Sequence, residues 1–274
     1  MTFFRYKADR LPIAVFATYF ALDVAVYLMI SNFWLLLGWL LLGIFPKACI
    51  CAWNHHHQHV LTFKQKWLNR LLELVYGFQT GVTSNAWVLH HTIGHHQNYL
   101  DQTKDESRWK RLDGTAMGEI EYSLNVALTA YPRAYKVGTK YKKPLKTFLW
   151  MGALQVALLA GLFAYNWMGA LMVFLLPMMI SLYMTANATF GHHSGLDTDN
   201  EFEASYNIMN PAYNILTGNL GYHTAHHVKC AVHWSKLPEY HATIADKIPA
   251  HLYKKPGFPL SLFEVKEPAN ASAS

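Results

Sequence analysis

The stretch FWLLLGWLLLGIFPKACICAW, residues 33–53, runs directly into the polar cluster NHHHQH, residues 54–59. The apolar part carries one charge, Lys47, and is long enough to cross the hydrocarbon core of a bilayer, which takes about 20 residues. Because the histidines follow without a break, a spanning helix would present them at the membrane surface. The stretch therefore predicts a transmembrane helix that ends in a set of imidazoles.

Three further apolar runs of similar length occupy residues 11–30, 147–167 and 168–190. The composition agrees with several spans, since 52% of the 274 residues are hydrophobic and only 15% are charged. Very short turns, at residues 31–32 and around Asn166, pair the runs into two hairpins. We therefore predict an all-α integral membrane protein with four transmembrane helices in two hairpins. Residues 1–262 are expected to form one domain, and residues 263–274, which include PANASAS, a disordered tail.

The basic residues set the expected orientation. Neither hairpin turn carries Lys or Arg, and most of the 23 basic residues lie in residues 54–146 or after residue 190. The positive-inside rule then predicts a multi-pass protein with both termini and the long central segment in the cytoplasm. The net charge of +6 is explained by this bias, so no nucleic-acid partner is expected. Three cysteines without a CxxC or an even framework indicate a reducing compartment.

Two features of the segments around the spans carry further expectations. The amphipathic patterns KWLNRLLELVYGF (66–78) and GEIEYSLNVALTAY (118–131) predict helices that lie along the membrane surface. Asp23 lies within the first span, where a carboxylate is costly and usually paired. Lys47 of the second span is its candidate partner.

Most of the 16 histidines fall into four clusters that this topology brings to the cytosolic membrane face. On a helix, residues i and i+3 or i+4 share one face, with Cβ atoms about 5–6 Å apart. Neutral imidazoles at that spacing bind metals such as Fe, Zn, Cu and Ni. The sets with this spacing are His55 with His59, His91 with His95 and His96 beside them, and His223 with His226 and His227.

The number of imidazoles exceeds what one ion coordinates, so two metals are expected, held by a cytosolic helical cap. The chain has no HExxH motif and no pair of Glu-x-x-His motifs, which excludes the zincin and the soluble ferritin-like sites. His56, His57 and His90 point away from the chelating faces, because successive helical residues differ by about 100°. They are expected to contact the ligand side chains on the side that faces away from the metal. His233, His241 and His251 are scattered and are expected at the surface or behind the ligands.

The third cluster along the chain, GHHSG at the end of the fourth span, presents two adjacent histidines, of which one should bind metal. Helical spacing favours His192, because Ser181, Thr185, Ala188 and His192 form one small, polar stripe of the kind that faces a bundle interior. A helix that ends at Gly191 would remove this argument.

The segments HHHQH, HTIGHH and HTAHH resemble the three histidine boxes HxxxH, HxxxHH and HxxHH of the integral-membrane fatty acid desaturase superfamily. The text NLGYHTAHHVKCAVHWSKLPEYHA is similar to the third-box neighbourhood of its small bacterial members. The resemblance implies a di-iron centre that activates O2, in a bacterial cytoplasmic membrane. It favours His193 over His192, because relatives carry one histidine followed by an acid, as His193 is followed by Asp197. The ligands that it implies are His55, His59, His91, His95, His96, His193, His223, His226 and His227.

The reaction that the resemblance implies is desaturation of a fatty acyl chain that enters from the lipid bilayer. Alternatives within the superfamily are a hydroxylase, a ketolase or an alkene-forming decarboxylase. A non-enzymatic metal-binding or metal-transport protein is a different class; it would place ligands along the spans, whereas here the histidines gather at one face.

Electrons must come from outside, because the chain has no HPGG-type cytochrome b5 motif and no cysteine set for an iron–sulfur cluster. The resemblance implies an external donor of ferredoxin, cytochrome b5 or rubredoxin type, with its reductase. The basic stretch Lys136–Lys146 would either dock an acidic donor or anchor the chain at the membrane surface.

Overall fold

The computed structural model describes residues 3–262, and within this range the chain is helical, with isolated β-bridges and no strand. Two π-helical turns occur, Val88–Ile93 and Ala170–Leu175, the second of them inside α6. Single 3-10 turns lie at Lys7–Asp9, Trp234–Lys236, Ala245–Lys247, Ala250–Leu252 and Leu260–Leu262. The predicted tail, residues 263–274, lies outside the described residues. The helices are α1 (Arg10–Met29), α2 (Phe33–His59), α3 (Lys66–Thr80), α4 (Glu119–Gly138), α5 (Lys142–Tyr165), α6 (Trp167–His193), α7 (Pro211–Thr217), α8 (His223–Val228) and α9 (Leu237–Ala242).

Four helices are long and apolar enough to cross a membrane, which confirms the predicted number of spans: α1 with its preceding turn, α2, α5 and α6. The helical backbone of α2 and α6 continues past the predicted ends, 53 and 190, to His59 and His193. The apolar runs end earlier than the helices because the last turns carry the histidine clusters. The second and fourth spans therefore reach the metal-binding region without an intervening loop.

Asparagine side chains begin the second helix of each hairpin. Asn32 accepts hydrogen bonds from the backbone N–H groups of Trp34 and Leu35, and Asn166 accepts one from Gly169 at 3.0 Å. The Asn166 amide also donates to the carbonyl oxygen of Tyr27 at the end of α1, at 3.1 Å. Such caps satisfy N–H groups that have no partner within the helix, so each turn stays short.

A buried ion pair joins α1 to α2, and it confirms Lys47 as the partner of Asp23. Lys47 Nζ lies 3.0 Å from Asp23 Oδ2, and both residues are at most 1% exposed. Trp39 Nε1 donates to the other carboxylate oxygen of Asp23 at 2.9 Å. Lys47 Nζ also donates to the carbonyl oxygen of Val173, in the π-helical turn of α6, at 3.2 Å. The pair therefore holds three spans together.

The prediction that residues 66–78 lie along the membrane surface is wrong for the second half of α3. Tyr76, Gly77 and Phe78 are buried. A Cβ on Gly77 would lie 2.1 Å from Gln155 Oε1 of α5, so α3 packs tightly against a span. Gly81 ends the helix at φ +70°, and its own Cβ would lie 2.3 Å from the carbonyl oxygen of Met178 in α6. The spans therefore cover the second half of α3, whereas Trp67 and Leu71 in its first half stay exposed.

Helix α4 lies beside the histidine-bearing end of α6, and the apolar residues Ile120, Leu124 and Leu128 of α4 stay exposed. The Tyr122 and Phe190 rings are 5.1 Å apart, and Asn187 Nδ2 donates to Ser123 Oγ at 3.3 Å. Val126 and Ala130 are buried in the same face of α4. This packing supports the part of α6 that ends in His193.

Replacing Asp23 with leucine should destabilise the protein by about 3–5 kcal/mol, because it leaves the Lys47 ammonium buried without its partner. Replacing Lys47 with methionine as well should recover most of that loss, since the pair is then removed as a unit. Unfolding of both variants in detergent micelles measures the effect. If Asp23→Leu is as stable as the wild type, the ion pair contributes nothing to the stability of the bundle.

Candidate metal centre

Four separate segments deliver the histidines to one region of the molecule. The last turns of α2 and α6 carry His55, His59 and His193. The π-helical turn and the turns that follow it carry the second cluster, and the short helix α8 carries the third box. The imidazoles of these segments form two groups whose ligand nitrogens lie within 4.8 Å of one another. The first group contains His55, His59, His91, His96 and His226, and the second contains His95, His193 and His227.

The first group is centred on the Nε2 atom of His55. Three other Nε2 atoms lie close to it, at 2.8 Å (His91), 3.0 Å (His59) and 3.1 Å (His226). A neutral imidazole nitrogen either donates or accepts, so it cannot form hydrogen bonds to all three neighbours. Metal–nitrogen bonds of about 2.0–2.1 Å place neighbouring ligand nitrogens about 3 Å apart. The crowding of lone pairs therefore fits a shared cation better than a hydrogen-bond network.

The second group has the same character. The Nε2 atoms of His95 and His227 are buried and have no hydrogen-bond partner in the described chain. His223 lies beside this group, with its Nε2 atom 3.0 Å from His193 Nε2 and its ring 4.7 Å from that of His227. His223 is thus not a member of either group, although it borders the second. The two groups adjoin, because the rings of His96 and His227 stack with centroids 4.1 Å apart.

Contacts behind the imidazoles fix which nitrogen faces the centre. His95 Nδ1 donates to Asp105 Oδ1 at 2.8 Å, and the 2% exposed Asp105 also accepts from the backbone N–H of Ser107 at 2.7 Å. His193 Nδ1 donates to the carbonyl oxygen of Ala204 at 2.9 Å. With the proton on Nδ1, the Nε2 lone pair points into the group. Asp105 is not among the site residues that the sequence predicts, because it lies in a polar loop without periodicity; its only signal is an acidic residue shortly after the second box.

The structure brings His193, and not His192, to the second group. Both ring nitrogens of His192 are engaged, since Nδ1 donates to the carbonyl oxygen of Tyr206 at 2.9 Å and Nε2 accepts from the Tyr213 hydroxyl at 3.1 Å. Its ring stacks on that of His223 at 3.9 Å. Helix α6 continues through this pair, so the two rings diverge as successive helical residues do. The polar stripe correctly indicates that His192 is buried, but the contacts of its ring lie behind the group.

The other histidines lie outside both groups. His56 Nε2 donates to the carbonyl oxygen of Thr217 at 3.1 Å, and His57 pairs with Thr62 and faces Glu73. The ring of His90 stacks on Trp87 at 5.5 Å. His233 is bonded to Asp9 at 3.0 Å, His241 is bonded to the Tyr253 hydroxyl at 3.3 Å, and His251 is exposed.

Burial keeps five of the clustered imidazoles uncharged. Loss of hydration, followed by the proximity of other imidazoles, lowers the pKa of His91, His96, His223, His226 and His227 well below the usual value. At neutral pH these rings carry a free lone pair and no charge. A metal ligand needs that form, because a protonated imidazole cannot bind a cation.

Comparison with known families agrees with this geometry. Residues 31–255 match the family model described as fatty acid desaturase. The chain belongs to the fatty acid desaturase family. No curated protein and no solved structure matches it. Members of the fatty acid desaturase family are oxidoreductases, and the two histidine groups fit the histidine-box metal site of that family.

Replacing Asp105 with alanine should weaken metal binding by about 10–100-fold, because His95 loses the carboxylate that orients its ring and raises its basicity. Asp101→Ala is the matched control, since Asp101 lies in the same loop but its carboxylate, within the described chain, bonds to the exposed residues Thr103 and Lys104 and not to a histidine. Metal retention against a competing chelator distinguishes the two variants. If both variants retain metal equally well, the His95–Asp105 contact has no role in metal binding.

Replacing His193 with alanine should remove one metal ion, whereas His192→Ala should leave the metal content unchanged. The reason is that His193 Nε2 faces the second group and His192 bonds to Tyr206 and Tyr213. Metal analysis of the purified variants tests this difference. Loss of metal from His192→Ala alone would reverse the assignment.

Proposed function

We propose that the protein desaturates a fatty acyl chain, using O2 and electrons from an external donor, at a di-iron centre held by histidines. The observation that carries this proposal is the convergence of two adjoining imidazole groups at one end of a bundle of four candidate spans. The ligands are assigned to the first iron as His55, His59, His91, His96 and His226, and to the second as His95, His193, His223 and His227. Iron bound there would supply O2 activation and removal of hydrogen from an unactivated C–H bond.

The protein's own residues would position the ions and the substrate. Because α2 and α6 carry ligands on their last turns, an acyl chain that lies against these spans would reach the metals without leaving apolar surroundings. Asp105 and the carbonyl oxygen of Ala204 would hold His95 and His193 in the ligand tautomer. The substrate would enter from the bilayer, so no aqueous channel is needed.

The proposed orientation places the histidine end of the bundle and both termini in the cytoplasm of a bacterial cell, with residues 1–262 acting as one domain. The lysines of the stretch Lys136–Lys146 are exposed, and a shallow groove joins Lys142 and Lys146 to Leu149 and Trp150 of α5. Basic residues beside an exposed tryptophan are typical of a membrane interface. This supports the anchoring interpretation of the stretch over the docking of an electron donor.

The purified protein should contain close to two irons per chain, because the two groups offer more imidazoles than one ion coordinates. Product should form only when O2 and an electron donor with its reductase are both supplied. Expression in a bacterial host, followed by mass spectrometry of its lipids, identifies the reaction. A fatty acyl product two hydrogens lighter supports desaturation, whereas an added oxygen or a shortened alkene identifies a hydroxylase or a decarboxylase.

The matched control for this experiment is His226→Ala, which should form no product. One zinc per chain and no iron, after growth with ample iron, would contradict the di-iron assignment.

A further inference from the structure

Within the described chain, two aromatic residues other than histidine make ring contacts with the proposed ligands. Trp87 stacks near His91 with ring centroids 6.2 Å apart, and it is only 6% exposed. The ring of Tyr99 lies 4.6 Å from that of His227 and 6.2 Å from that of His95. Tyr99 is only half-buried, and exposed Gln97 and Leu100 lie on either side of it in sequence. Of the two, Tyr99 alone joins the second group to the protein surface.

The backbone around Tyr99 holds this ring in place. Asn98 Nδ2 donates to the carbonyl oxygens of Ile93 and Gly94, both at 3.2 Å, and the Asn98 N–H donates to the carbonyl oxygen of His95 at 2.7 Å. Asp101 N–H in turn donates to the carbonyl oxygen of Asn98 at 2.7 Å. The loop is therefore tied to the same turn that carries the ligand His95. The contact between Tyr99 and His227 depends on that fixed turn rather than on a free loop.

His227 is otherwise enclosed. It is 5% exposed, and neither of its ring nitrogens has a hydrogen-bond partner in the described chain. An electron carrier that docks from water cannot touch this ring directly. Since electron tunnelling falls steeply with distance, a ring that lies between the surface and His227 shortens the gap that an electron must cross.

We propose that electrons enter the metal centre through the ring of Tyr99, which passes them from a docked one-electron carrier protein to the His227 side of the site. This inference rests on the proposed function, because it assumes redox-active metals. In each event the carrier is oxidised by one electron and one metal ion is reduced by one electron. Tyr99 is neither consumed nor protonated, and no bond forms or breaks in it.

A different route would use the ligands that are themselves partly exposed. His59 is half-buried and His96 is 9% exposed, so a carrier that contacts either ring bypasses Tyr99. The two routes differ in what they require at residue 99. Only the proposed route needs an aromatic ring there.

The test uses the full-length, iron-loaded protein with Tyr99→Leu and Tyr99→Phe. Reduction of the metals by reduced ferredoxin is followed anaerobically by stopped-flow absorption, and iron content is measured in parallel. We expect reduction to slow by about tenfold in Tyr99→Leu and to stay within about twofold of wild type in Tyr99→Phe. Iron content should be unchanged in both. Tyr135→Leu, on the exposed side of α4, is the matched control and should reduce at the wild-type rate.

If the metals of Tyr99→Leu are reduced at the wild-type rate, the proposal is overturned in favour of electron entry through His59 or His96. A Tyr99→Phe variant as slow as Tyr99→Leu would also overturn it, because the ring alone would not suffice. If Tyr99→Leu loses iron, Tyr99→Met is measured in its place, and the same reduction rates are expected of it. Lipid analysis of the wild type is independent of these rates, so a ring-dependent reduction without a desaturated product would reject the proposed reaction and retain the route.

Discussion

The contact on which the structure depends is the approach of several uncharged imidazole nitrogens to one another inside the protein. His55 Nε2 has three nitrogen neighbours within 3.1 Å, and the buried Nε2 atoms of His95 and His227 have no partner among the described residues. Buried polar atoms without a partner are costly, and lone pairs that face one another add to that cost. A cation in each group removes both penalties. Metal binding is then part of the folding free energy, because it ties together segments that are distant in sequence.

The spans contribute to the same site through their relative register. Cys51 Sγ lies 3.6 Å from the carbonyl oxygen of Ser181, and Lys47 Nζ bonds to the carbonyl oxygen of Val173, so α2 and α6 contact each other at two levels below the histidines. A slip of one residue between these helices would move His55 and His193 by about 1.5 Å relative to each other. The glycines at 77 and 81 allow α3 and its end to pack closely against α5 and α6. The polar contacts within the bundle therefore fix the geometry at its end.

The sequence predicted the spans and the histidine clusters well, since hydropathy and i, i+4 spacing depend on local pattern alone. The assignment of individual histidines to the two groups could not be predicted in this way. His91 and His95 are four residues apart but enter different groups: the π-helical turn Val88–Ile93 ends between them, and His95 lies in the turn that follows. The contact of Asp105 with His95 forms within a polar loop that has no periodicity. The burial of the second half of α3 depends on α5 and α6, which the local amphipathic pattern does not reveal.

Neighbouring histidines divide between the groups at two places in the chain. His95 and His96 belong to different groups, and so do His226 and His227. Because adjacent side chains on a tight turn or a helix point in different directions, each pair extends one ring to either side of the backbone. The separation of the two groups is thus set by two short backbone segments that bridge them. A displacement of either segment therefore moves ligand nitrogens of both groups, so the two groups are mechanically linked.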